Sequence, residues 1–215
     1  MTEYKTKRVL TDDYRSEKIY NVKVYIAETG DFALPLYPEE RRKEISECKS
    51  AKVRREKSSV WALLEYAVKD AYEKKLSDFV FEKTSDGKWV SDKFYFSLSH
   101  SKNVVTVAVS DCPIGVDVES VENFSVATER NKDKFLKKIC SDDEYEKYKN
   151  APISLLTALW TQKESAYKME GRGPCLLKND IEHDKITTIA VRFNGEYVVS
   201  VCADEGANRV FYIVE

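Results

Sequence analysis

An α+β protein of two similar halves is the fold class predicted by this chain, and three observations carry that expectation. The order strand, helix, strands occurs in each half; Asp111-Cys112-Pro113 forms a seam between them; and the tail from about residue 185 reads entirely as strand. No sequence-level repeat accompanies the similar element content. The expected subdomains are 1–112 and 113–215.

The elements follow from local pattern. Residues 18–27 are β-branched and aromatic with partial alternation, which reads as a strand. Pro35 and Pro38 punctuate the chain, and Glu39 and Glu40 suit the first turn of a helix. From there to about Leu76 the pattern is helical. Val60, Leu63, Leu64, Ala67, Val68, Ala71 and Tyr72 recur at spacings of three and four and make one apolar face. The charged stretch 39–57 is either a separate helix or a bent entry to that one. Residues 94–98 and 104–109 read as strands flanking a Ser-His-Ser turn, and Ile114 to Val118 as another strand after Pro113. The stretch 126–149 is helical and charged. A stronger helix covers about 153–169 and ends at Gly171-Arg172-Gly173-Pro174. Residues 185–193 and 196–203 flank Asn194-Gly195, the best short hairpin signal present, and 209–214 adds a third strand.

Composition narrows the function classes. Hydrophobic residues make up 42%, charged residues 33% and aromatics 12%, the balance of a folded chain. A formal net charge of −2 argues against a globally basic nucleic-acid binder. No stretch approaches about 18 apolar residues, so no membrane span is expected. The start, Met-Thr-Glu-Tyr-Lys-Thr-Lys-Arg, has no apolar signal-peptide region after it. The cysteines (Cys48, Cys112, Cys140, Cys175, Cys202) are scattered and odd in number, which suits small buried hydrophobes in a cytoplasmic protein better than a disulfide or zinc framework.

Three segments carry chemistry: Phe-Ser-Leu-Ser-His-Ser at 96–101, Gly-Val-Asp-Val-Glu at 115–119, and Trp-Thr-Gln-Lys-Glu-Ser-Ala-Tyr-Lys at 160–168. A strand has a side-chain period of two, so Asp117 and Glu119 face one side and Val116 and Val118 the other. Two like charges on one face call for a cation, a lysine or solvent. Alone, Asp-x-Glu is an ordinary acidic strand end. Trp160, Glu164 and Lys168 are spaced by four along one helix face, with Lys163 and Tyr167 on a neighbouring line. A surface Glu–Lys pair is the plain explanation. Leu155, Leu156 and Leu159 make this helix apolar, however, so a carboxylate and two lysines bordering it need partners, and a Mg²⁺ ligand with two phosphate clamps would supply them. His100 stands among Ser97, Ser99 and Ser101; a protonated imidazole with hydroxyl donors makes a phosphate-binding turn, and the plainer alternative is a turn whose hydroxyls satisfy their own backbone. His183 lies in a polar run and reads as exposed.

Taken together and in this order, the three segments resemble the signature set of the 4′-phosphopantetheinyl transferases. The length is similar to the surfactin-synthetase-activating type, a monomer with a pseudo-duplicated two-subdomain fold and its active site at the subdomain seam. The resemblance implies transfer of the phosphopantetheine arm of coenzyme A to a serine of an apo acyl or peptidyl carrier protein, with release of adenosine 3′,5′-bisphosphate. It implies that Asp117, Glu119 and Glu164 ligate Mg²⁺, that Glu164 also acts as base, and that Lys168 holds a phosphate with Lys163 close by. It further implies that His100, with Ser99 beside it, binds the 3′-phosphate, and that Lys57 or Arg54 contacts the nucleotide from the N-terminal subdomain. Glu144 resembles the acidic residue between the second and third motifs, and 171–173 the glycine-basic-glycine turn. One departure is Gly87-Lys88-Trp89, where the family often has Gly-Lys-Pro. The competing classes are a non-catalytic coenzyme A or carrier-binding module of the same fold, and a two-carboxylate glycoside hydrolase, which would leave His100 and Lys168 without work.

Overall fold

The β-branched run near the N-terminus forms a nine-residue strand, β2 (Tyr20–Glu28), at the centre of a five-stranded sheet. The structure, a computed structural model, describes residues 7–11, 20–85, 87–170, 186–204 and 207–215. Two units result: Met1–Cys112 with Gly206–Glu215, and Pro113–Glu205.

In the first unit the sheet order is β1 (Lys7–Thr11), β10 (Ala207–Val214), β2, β6 (Val104–Ser110), β5 (Tyr95–Ser101). The last strand of the chain lies parallel to β2 and antiparallel to β1. The third strand expected over 209–214 is thus a strand of the first unit's sheet. The strand buries residues on both faces, Phe211 and Tyr212 among them, and such a strand gains more between two partners than at an open edge.

The charged helical stretch resolves into α1 (Glu39–Ser46) and α2 (Ala51–Tyr72). They separate because Ser50 caps α2, its hydroxyl accepting from the Val53 amide. The anticipated apolar face of α2 packs on β2, β5 and β6: Val60, Leu63, Leu64, Ala67 and Val68 are all buried. Two short strands that sequence patterning did not reveal, β3 (Phe81–Lys83) and β4 (Trp89–Ser91), form a small antiparallel ribbon. Trp89 is buried in an aromatic cluster, its ring 5.8 Å from that of Trp61. The departure at Gly87-Lys88-Trp89 thus gives a core residue where a proline was expected.

In the second unit β7 (Ile114–Ser120), β9 (Tyr197–Asp204) and β8 (Ile186–Phe193) make an antiparallel sheet with β9 central. Asn194 and Gly195 both have positive φ (49° and 71°), the conformation that a two-residue hairpin turn demands and that Asn-Gly accepts readily. The expected helix over 126–149 is instead α3 (Val121–Thr128), a short 3₁₀ turn, α4 (Lys132–Ile139) and α5 (Asp142–Tyr148). Ser120 caps α3, and Ser141 with Glu144 forms a capping box that starts α5 and ends the preceding segment. The long helix α6 (Ile153–Glu170) lies against β7 and β9. A core of Phe124, Leu136, Ile139, Leu156 and Leu159 joins it to α3 and α4. Among the described residues no helix is long and apolar enough to cross a membrane, and Cys112, Cys140 and Cys202 are buried.

Candidate active site

The second motif folds as β7 because Val116 and Val118 fill one side of the sheet, leaving Gly115, Asp117 and Glu119 on the other. That second side faces α6. At Gly115 the two elements approach so closely that a β-carbon would overlap the Ser165 carbonyl and stand 2.6 Å from the Met169 amide nitrogen. Only glycine fits there, which gives the first residue of the motif a packing role. Across the sheet from Asp117, Ser200 of β9 shares a buried 2.7 Å hydrogen bond with Thr161 of α6. Thr161, Ser165 and Lys168 thus form the strand-facing line of the helix.

Lys168 donates to Asp117 Oδ1 at 2.7 Å, and the Asp117 side chain is only 8% exposed. Glu164 comes close enough to feel both. Burial and, after it, the Asp117 charge push the Glu164 carboxyl above its ordinary range, and Lys168 only partly opposes them. Lys168 thus pairs with Asp117, while the partly buried Glu164 carboxyl feels the charges of both. Glu119 lies on the same strand face but two residues on, about 6.7 Å along the strand, and is half-buried. Among the described residues no three histidine, cysteine or carboxylate side chains are gathered closely enough to hold a metal. The expected triad of Asp117, Glu119 and Glu164 is not gathered as one cluster among the described residues, where Lys168 holds Asp117. The donor set still fits Mg²⁺ chemically. All three groups are hard carboxylate oxygens, and the raised Glu164 carboxyl marks a place where added positive charge is favoured.

Lys163 lies elsewhere. It follows Leu156 and Leu159 around α6, is buried, and donates to Glu144 Oε2 at 2.7 Å. The same Glu144 oxygen accepts from the Ser141 amide at 3.1 Å. The neighbouring Cys140 thiol is pushed up to about 11, chiefly by burial and then by Glu144. Lys163 is thus the partner of a buried carboxylate at the start of α5, whereas Lys168 meets Asp117. Glu144, singled out by position in the sequence, acquires a physical role as the link between α5 and α6.

In the first unit the Ser-Leu-Ser-His-Ser segment is strand β5, and the reversal comes only at Lys102-Asn103, where Lys102 has φ 53°. The expected Ser-His-Ser turn is corrected accordingly. Alternation then puts Ser97, Ser99 and Ser101, all buried, on one face of the sheet and Phe96, Leu98 and exposed His100 on the face covered by α2. Ser99 and His100 accordingly project to opposite faces. His100 Nδ1 lies 3.9 Å from Glu56 Oε2, a buried carboxylate on α2 that sequence reading passed over inside the run Arg54-Arg55-Glu56-Lys57. Arg54 is exposed and donates to the Cys48 carbonyl at 2.9 Å; Lys57 is half-buried. Arg55 donates to the Thr29 carbonyl and pairs with Asp31, and Ser59 bonds Gly30, so the loop after β2 is fastened to the start of α2. The Gly171-Arg172-Gly173 turn and His183 lie outside the described residues.

The stretch that includes β7 and α6 is similar to known proteins. A 4′-phosphopantetheinyl transferase from Bacillus pumilus, psf-1, is 30% identical over 118 residues, which is 52% of this chain and 48% of that protein. The enzyme named gsp from Aneurinibacillus migulanus is 30% identical over 119 residues, 53% and 47% of the two chains. Sfp from Bacillus subtilis strain 168 is 33% identical over 79 residues, 37% and 34%. The aligned part thus spans about half the length of the first two relatives and about a third of Sfp. The family profile of the 4′-phosphopantetheinyl transferase superfamily matches residues 113–207, the stretch that holds Gly115, Asp117, Glu119, Glu144, Lys163, Glu164 and Lys168. Residues 113–207 of this chain are thus similar to the 4′-phosphopantetheinyl transferase superfamily.

Proposed function

We propose that this protein is an enzyme that moves the 4′-phosphopantetheine arm of coenzyme A onto a serine of an apo carrier protein and releases adenosine 3′,5′-bisphosphate. The observation that carries this reading is the convergence of Asp117, Glu164 and Lys168 where β7 and α6 meet, inside the region that matches the superfamily. Asp117, Glu119 and Glu164 would hold Mg²⁺, which when bound supplies Lewis-acid polarisation of a pyrophosphate.

The roles of the chain's own residues follow from their chemistry. The serine oxygen of the carrier forms a bond to the phosphorus that bears the pantetheine arm, and the bond from that phosphorus to the departing bisphosphate breaks. The serine proton passes to Glu164, the carboxylate of α6 nearest this chemistry. Lys168 places positive charge where negative charge grows on the phosphate oxygens. In the first unit His100 takes the 3′-phosphate, with Lys57 and Arg54 as further nucleotide contacts. Ser99 projects to the other face of its strand, which supports a role through packing or backbone. Lys163 holds Glu144, and through it the start of α5. We read the protein as a cytoplasmic monomer whose partners are coenzyme A and an acyl or peptidyl carrier, with no nucleic acid or membrane partner.

The test is direct. The full chain, coenzyme A and Mg²⁺ are incubated with a panel of apo acyl and peptidyl carriers and analysed by intact-protein mass spectrometry. The expected result is a carrier heavier by one phosphopantetheine arm, dependent on Mg²⁺. No shift on any carrier, with a reference transferase active on the same panel, overturns the proposal. Coenzyme A binding without any transfer would favour a non-catalytic binding module.

A further inference from the structure

We infer that Glu56 is a positioning residue: its buried carboxylate orients the His100 imidazole for phosphate recognition. The inference rests on the proposed role of His100 toward the 3′-phosphate of coenzyme A and extends it to a residue that no motif marks.

Glu56 stands on α2 immediately before the residues that enter the core, Ser58 to Leu64, and its side chain is 11% exposed. Burying a carboxylate is costly unless cationic partners surround it. The two oxygens of Glu56 divide between two partners from different directions. Oε1 meets Lys52 Nζ at 3.8 Å, from one turn earlier on the same helix, and Oε2 meets His100 Nδ1 at 3.9 Å, from strand β5. Lys52 is 74% exposed, so its contribution is largely screened. His100, at 46%, sits between the covered sheet face and solvent. A carboxylate facing Nδ1 settles which ring nitrogen turns toward the helix and presents Nε2 outward as the second donor. The arrangement is held rigidly. Ser59, one turn along from Glu56, bonds both carbonyl and amide of Gly30, and the Thr29 amide donates to the Asn103 carbonyl at 2.7 Å beside the β5–β6 reversal. The helix carrying Glu56 and the hairpin carrying His100 are thus fastened to the same loop, so the pair keeps its spacing.

Isothermal titration of the full chain with coenzyme A and with 3′-dephospho-coenzyme A tests this without turnover. Glu56→Leu removes the acceptor and retains bulk suited to a buried position. It is expected to weaken coenzyme A about tenfold, near 1.4 kcal/mol, and to leave the dephospho compound unchanged. Glu56→Gln keeps an acceptor of the same shape and is expected to restore binding to within about threefold. In a His100→Ala background Glu56→Leu adds nothing. Equal weakening of both ligands, no weakening of either, or an additive loss in the double variant overturns the inference while leaving the transferase reading intact. Failure of His100→Ala to discriminate the two ligands overturns the 3′-phosphate assignment and this inference with it. A wild-type chain that binds neither ligand overturns the functional reading itself.

Discussion

Glu164 shows how environment turns a common residue into a reactive one. Its carboxyl is raised by burial and by Asp117, so between the ordinary carboxylate range and its own raised value the folded chain holds a proton that the unfolded chain has lost. Below that window both states are protonated and Glu164 makes no difference; above it the ionised group burdens the folded state. Glu164→Gln is therefore expected to raise the melting temperature at pH 8 in EDTA and to match the wild type near pH 3.5, as thermal melts at the two pH values will read. The same variant is expected to lower turnover by about 10²-fold or more, measured as carrier modified per unit time. Normal turnover would remove Glu164 from the catalytic role. The shared strand face of Asp117 and Glu119 was legible in the chain, as was the common helix face of Glu164 and Lys168. The burial that raises Glu164 was not, because it depends on β7 and α6 meeting.

At the scale of elements, the contact of β7 with α6 depends on Gly115. A methyl group there would overlap the Ser165 carbonyl, and neither backbone can yield without moving the whole helix or strand. Gly115→Ala is expected to destabilise the fold by about 1–3 kcal/mol and to cut turnover, since Asp117 and Lys168 lose their 2.7 Å contact; chemical denaturation and the carrier assay check both. The junction of α5 with α6 depends on a charge pair instead. Lys163→Met leaves Glu144 buried without its ammonium and is expected to cost about 3–5 kcal/mol. Adding Glu144→Gln, which keeps the capping box with Ser141 and needs no counter-charge, is expected to recover most of that loss. A fully stable Lys163→Met chain with weakened coenzyme A binding would instead return Lys163 to the phosphate. Lys163 and Lys168 look alike in the sequence, five residues apart on one helix. Their separate fates follow from helical rotation, which sends them to different sides of α6.

For the molecule as a whole, the placement of the last strand matters most. β10 lies between β1 and β2, so the first sheet is completed by residues from the far end of the chain. Deleting 207–215 is expected to abolish the cooperative thermal transition of the first unit, whereas deleting the edge strand Lys7–Thr11 leaves one, as circular dichroism melts will show. An intact melt after the C-terminal deletion would mean that β2 and β6 suffice. The sequence by itself determined the elements with strong local signals: the apolar face of α2, the Asn194-Gly195 hairpin, the long helix α6 and the order of the three motifs. It also determined which carboxylates share a strand face, because period and spacing are local properties. Only the tertiary structure decided that β10 joins the first sheet, that Lys163 is buried on Glu144 while Lys168 meets Asp117, and that Glu56 stands beside His100. Each of these depends on which distant segment supplies a partner, and strand pairing and the burial of charge are settled by the whole packed chain, beyond what any local pattern encodes.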